Sequence, residues 1–231
     1  MISRAVSVSR IHTVAWPLLL AWPLGILAVA FAIPWAIFAI IDTGQTSNFT
    51  GSVSALLGVC LAFYLSAMTQ TFPFALGMSV TRRDYFSATL LVSLVQVIGF
   101  GGLLWVLSLV EDATGGWGVD LLMFGIPGVF TDSQIIQLAT YLAIMALVAG
   151  IGLLVGAIQQ RWRVTGLYSV GAAVLVLGGA AAVLVTWMEW WPAVGSWFAD
   201  SSRAVPMVAL PSALAAACLA GAWVVIRRAT P

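Results

Sequence analysis

Phe72-Pro73-Phe74-Ala75-Leu76-Gly77-Met78-Ser79-Val80-Thr81-Arg82-Arg83-Asp84-Tyr85-Phe86 separates two long apolar runs and carries both helix-stop and helix-start chemistry. Pro73 has no N–H to give and disturbs the last turn of the run before it. Gly77 supplies the left-handed conformation that ends helices. Thr81 with Asp84 three residues on fits the N-terminal capping pattern, so a new helix is expected to start at Arg82. Residues 74–80 then cross from one span to the next. Two arginines at a helix N-terminus oppose the helix dipole by some tenths of a kcal/mol, and something must offset that.

Outward from this stretch the chain is almost uniformly apolar. Of its residues 62% are hydrophobic and 7% charged, with a mean hydropathy of +1.08. Soluble domains carry about 25% charged residues, so a soluble fold is excluded. At roughly 20 apolar residues per crossing, six spans are expected, at about 16–41, 53–76, 82–110, 133–158, 164–187 and 205–226, in one all-α transmembrane domain. Arg4 and Arg10 before the first run imitate a secretory signal. That run is too long for one and is interrupted by Pro17, Pro23 and Pro34, so no cleavage is expected. Residues 3–15 are expected to lie along the interface as a short amphipathic helix.

The charges orient the spans. Arg4, Arg10, Arg82, Arg83, Arg161, Arg163, Arg227 and Arg228 fall on one side, with Arg203 alone opposite. The positive-inside rule makes the first side cytoplasmic, with both termini there. Asp42, Glu111, Asp112, Asp120, Asp132, Glu189 and Asp200 all fall outside. The apolar middle of the outer loop 111–133 is too short to cross and is expected to dip into the interface. The segment 187–200, dense in tryptophan, suits an interfacial or re-entrant position. All nine basic residues are arginine, and with the richness in Ala, Gly and Val this points to a GC-rich bacterial genome and a bacterial cell membrane.

The sequence offers little material for catalysis. The single histidine, His12, lies in the N-terminal flank, and the two cysteines sit inside apolar runs at different depths. No disulfide, metal site or catalytic residue is expected, nor any nucleic-acid partner. No acid or arginine falls mid-span, which argues against a proton- or sodium-driven carrier. No repeat relates the two halves. Gln70 and Gln96 are equally far from Arg83 on adjacent antiparallel spans; they are expected to hydrogen-bond each other or to line a pathway. Small residues at Gly152 and Gly156, and at Ala213, Ala217 and Gly221, permit close helix packing.

The motif from Pro73 to Phe86, placed between spans two and three of a six-span chain, resembles that of the ABC-2 type permeases of ABC exporters. The resemblance implies an N-terminal interfacial helix, a short cytoplasmic coupling helix between spans two and three, and re-entrant helices between spans five and six. It implies a homodimer of permease chains in membrane lipid. It also implies a separate ATP-binding subunit carrying ATP and magnesium, docked at Phe74, Gly77, Ser79, Thr81, Arg82, Arg83, Asp84 and Tyr85. The chain has no phosphate-binding loop of its own, so it is expected to be a transport subunit and not an enzyme. A pathway without fixed charge suits a lipid, drug or antimicrobial peptide. The alternatives are a non-transporting membrane subunit and a membrane enzyme that dock a cytoplasmic partner through the same surface.

Overall fold

A computed structural model describes residues 17–41 and 47–228. The interfacial helix expected over 3–15 lies outside these residues, as does most of the polar turn at 42–48. The described chain is built from α1 (Trp22–Ile40), β1 (Asn48–Phe49), α2 (Val53–Ser66), α3 (Phe72–Gly77), α4 (Arg82–Ala113), β2 (Leu121–Leu122), α5 (Gln134–Trp187), α6 (Trp191–Asp200) and α7 (Leu210–Ile226). Among the described residues five helical rods are long and apolar enough to cross a membrane: Leu19–Ile40, Val53–Gly77, Arg82–Ala113, Gln134–Trp187 and Val205–Ile226.

Three rods contain a π turn, at Pro17–Ala21, Ala67–Thr71 and Val205–Ala209. Each ends two residues before a proline: Pro23, Pro73 or Pro211. The cause is local. A proline cannot donate to the carbonyl four residues earlier, and widening the turn lets the chain bond across five residues instead. Thus Phe72 N–H reaches the Ala67 carbonyl, and Leu210 N–H reaches that of Val205. The disturbance expected at Pro73 therefore falls in the turn before it. It leaves α2 and α3 as one rod, not a span followed by a separate crossing helix.

The fourth rod is 54 residues long, about 81 Å at 1.5 Å per residue, against a bilayer core of about 30 Å. It breaks at Arg163, whose backbone stands at φ 58°, ψ −152°. Immediately after the break a Cβ at Gly166 would lie 2.5 Å from the Cβ of Trp162, so only glycine fits there.

The first half of α5 is the hub of the bundle. On one side Gly152 and Gly156 press on α2 and the π turn that follows it: a Cβ at Gly152 would sit 2.7 Å from that of Tyr64, and one at Gly156 would sit 2.6 Å from that of Met68. On another side Gly150 meets Ala215 and Cys218 of α7, and Gly221 meets Leu154. Of the small residues expected to pack on the last span, Ala213 and Ala217 are exposed instead, and the inward face is Ala215 and Ala222. Gly101 of α4 lies against Leu142. Beyond Arg163 the picture reverses, and nearly every residue of 164–200 is exposed.

The loop after α4 folds on its own chain. Glu111, only 3% exposed, accepts hydrogen bonds from three successive backbone N–H groups: Met123 at 3.1 Å, Phe124 at 3.0 Å and Gly125 at 2.7 Å. It also accepts one from the Trp117 indole at 3.3 Å. A buried carboxylate has to be satisfied in this way. The Tyr141 hydroxyl of α5 donates to the Phe124 carbonyl, and β2 pairs in parallel with β1. Leu121, Met123 and Phe124 are consequently buried, with Phe124 and Trp117 against Phe31 of α1. The apolar stretch expected to dip into the interface is occupied by these contacts with the rest of the chain.

Candidate functional site

The connection from α3 to α4 is a turn of only four residues, 78–81. The Met78 N–H bonds the carbonyls of Phe74 and Ala75, and the Val80 N–H also reaches that of Ala75. The left-handed residue is Ser79, at φ 61°, and not Gly77 as the sequence suggested. The reason is that the reversal comes two residues later than a glycine stop would place it.

Thr81 caps α4 as expected. Its backbone is extended, its hydroxyl accepts from Asp84 N–H at 3.1 Å, and the same hydroxyl donates to Asp84 Oδ2 at 2.8 Å. Caps of this kind contribute about 1 kcal/mol.

The two arginines separate into different environments. Arg82 is half-buried and donates from Nη1 to the Arg227 carbonyl at 2.9 Å. That carbonyl lies at the C-terminal end of α7, where the helix dipole favours a cation. This contact offsets the unfavourable position of Arg82 at the start of α4, and sequence reasoning had no signal for it. Arg83 is exposed, and no ion pair or hydrogen bond of its side chain occurs among the described residues.

Tyr85 is fully buried. Its hydroxyl donates to the Ala67 carbonyl, and its ring meets Phe72 edge-on. It therefore braces the turn from behind and is not part of any docking face. The exposed tip consists of Phe74, 62% exposed, Met78, 59% exposed, Gly77, Ser79, Thr81 and Arg83. Met78 is an addition to the residues expected from the sequence. Two apolar side chains and one arginine thus stand on a turn held by Tyr85, the Thr81–Asp84 cap and the Arg82–Arg227 contact.

Gln70 and Gln96 do not meet. Gln70 is exposed, whereas Gln96 is buried and donates from Nε2 to the Leu19 carbonyl at 2.9 Å. Pro23 cannot bond this carbonyl, so the amide supplies the donor that proline lacks. The expected glutamine pair fails because a loosened carbonyl competes for the same donor.

At the opposite end a polar cavity of about 480 Å³ is lined by Glu111, Asp112, Asp120, Asp132, Gln134 and Gln137, among others. Glu111 is already saturated by the loop, and no group of three or more metal-binding side chains is found among the described residues. In the segment 187–200, Trp190 and the α6 residues Ala193, Val194 and Trp197 line one face. Arg203 Nη1 donates to the Phe198 carbonyl at the end of α6 at 3.2 Å.

No protein-family model, curated protein or solved structure matches this chain.

Proposed function

We propose that the chain is the membrane-spanning subunit of an ATP-driven exporter of the ABC-2 type. It crosses the membrane six times with both termini cytoplasmic, α5 contributing two crossings joined at Arg163. A separate ATP-binding subunit docks on the turn at 78–83, and a second copy of this chain completes the pathway. The observation that carries the reading is the braced, exposed tip. Phe74, Met78 and Arg83 stand outward, while Tyr85 and Arg82 fasten the same turn to the π turn after α2 and to the end of α7. A partner that pushes on such a turn moves two helices with it.

The two arginines then have different roles. Arg83 meets the partner, and Arg82 passes the displacement to α7. The eight arginines on one side and the absence of Asp, Glu, Arg and Lys from mid-span support the orientation and an apolar or amphipathic cargo.

The test is co-reconstitution with an ATP-binding subunit that co-purifies with this chain, measuring coupled transport and binding. Arg83→Glu should weaken ATPase binding by tenfold or more, as like-charge placement at an interface does, and leave folded yield unchanged. Arg82→Ala should preserve binding and lower transport per ATP hydrolysed. If the purified chain alone moved substrate without ATP, the reading would be wrong.

A further inference from the structure

An apolar groove of about 550 Å³ runs between the start of the first rod and α4, lined by Leu20, Leu24, Val95, Gly99 and Leu103, with Gln96 in its wall. Its volume falls within the range of small-molecule pockets, which combine apolar walls with a few polar groups that fix orientation. Gln96 is 4% exposed. Its Nε2 donates to the Leu19 carbonyl, and because a carbonyl only accepts, the orientation of the amide is fixed. The atom left over is the acceptor Oε1, which is buried and has no hydrogen-bond partner among the described residues.

Gln96 lies about 21 Å along α4 from Arg82, close to the middle of a bilayer core of about 30 Å. Water is absent at that depth, and an unpaired amide oxygen there forfeits a hydrogen bond it would otherwise make. The headgroup donors of an ordinary glycerolipid stay at the interface and do not reach it. A molecule that fits must bring a donor into the hydrocarbon on an apolar body.

We propose that this groove binds a single-chain amphiphile bearing a hydroxyl in the middle of its chain, with Gln96 Oε1 accepting that hydroxyl. Leu20 and Leu24 are substantially exposed along the groove, which is therefore open to entry from the side. Oε1 itself is screened, so entry requires an exposed side chain of the groove wall, such as Leu20 or Leu24, to change rotamer, a fast motion for exposed groups, while the Gln96–Leu19 bond stays in place. As a cargo site the groove rests on the transport reading above. As a binding site it needs no ATPase.

The full chain in lipid nanodiscs would be labelled with a photoreactive stearate and the adducts mapped by mass spectrometry, with stearate and 12-hydroxystearate as competitors. The expected result is labelling of groove residues, with 12-hydroxystearate displacing the probe about 3- to 10-fold better than stearate, the effect of one hydrogen bond. Gln96→Leu should make the two competitors equal. Gly99→Leu, at a position where an added Cβ meets nothing within 4 Å, should weaken both about fivefold or more by filling the groove. It leaves the Gln96–Leu19 bond intact, so it decides the matter even where Gln96→Leu fails to fold. Labelling confined to other surfaces, equal competition in the native chain, or a hydroxyl preference that survives Gln96→Leu would overturn the site. A retained hydroxyl preference with no ATP-dependent movement of the probe would count against this groove as a cargo site and leave the binding site standing. ATP-independent movement would sink the permease reading alone.

Discussion

The two halves of α5 are made of nearly the same residues and meet opposite fates. Before Arg163, Gly152 and Gly156 face the second rod at less than the distance an added Cβ would tolerate, and Gly150 stands tight against α7. After it, Gly171, Gly178 and Gly179 have nothing within 4 Å, and Val174, Leu175, Val176 and Leu177 are all largely exposed. Glycine and alanine content therefore does not decide which part of an apolar helix packs. What decides it is the neighbour. Tyr64 and Met68 of the second rod and Ala215 and Cys218 of α7 stand opposite the first half, and no element of the described chain covers the second.

The comparison can be broken most directly at Gly156. Gly156→Leu forces a branched side chain into Met68 and the Leu65 carbonyl. It should destabilise the bundle by about 3 kcal/mol or more, the upper range for overpacking, in an unfolding titration in mixed micelles. Gly171→Leu, in the bare half, should leave the same titration unchanged. A large loss at Gly171 would mean that this half is packed after all.

Next in size is Glu111→Gln. The segment that Glu111 holds rests on the packed half through Tyr141, and an amide can replace only part of what the carboxylate accepts. A loss of about 2 kcal/mol is expected, read as loosening of the outer loop by limited proteolysis. Unchanged protection would separate the loop from the packed half.

The smallest effect is expected at the junction itself. Arg163 has φ 58°, a conformation that costs a non-glycine residue about 1–3 kcal/mol. Arg163→Gly should therefore leave stability equal or raise it by about 1 kcal/mol, and Arg163→Val should lower it. If Val proved harmless, the rod would be continuous and the contrast between its halves would lose its cause.

Most of the helical plan could be read from the sequence, because it depends on local chemistry. The Thr81–Asp84 cap placed the start of α4, and the ends of the other rods fall within a few residues of the composition-based spans. Apart from the helix stop, which falls on Ser79 and not on Gly77, the failures are long-range. Gln96 was paired with the wrong partner because Pro23, far away in sequence, loosens the Leu19 carbonyl. Tyr85 was read as surface because its position beside two arginines says nothing of the Ala67 carbonyl behind it. Glu111 was read as one more outer acid, since nothing in its neighbours announces that three amides twelve to fourteen residues away will converge on it.

The π turn before Pro73 has a consequence for the angular bookkeeping of the second rod. Leu56, Cys60, Tyr64, Met68 and Phe72 recur every fourth residue, and all are fully buried. At about 100° per residue each step of four overshoots a full turn by about 40°, so five such positions should wander about 160° around the rod. One surplus residue at Ala67–Thr71 winds that drift back by about 100°. The proline that interrupts the helix thereby keeps its aromatic and sulfur-bearing side chains on one bearing, and delivers Phe72 to Tyr85 at the base of the turn.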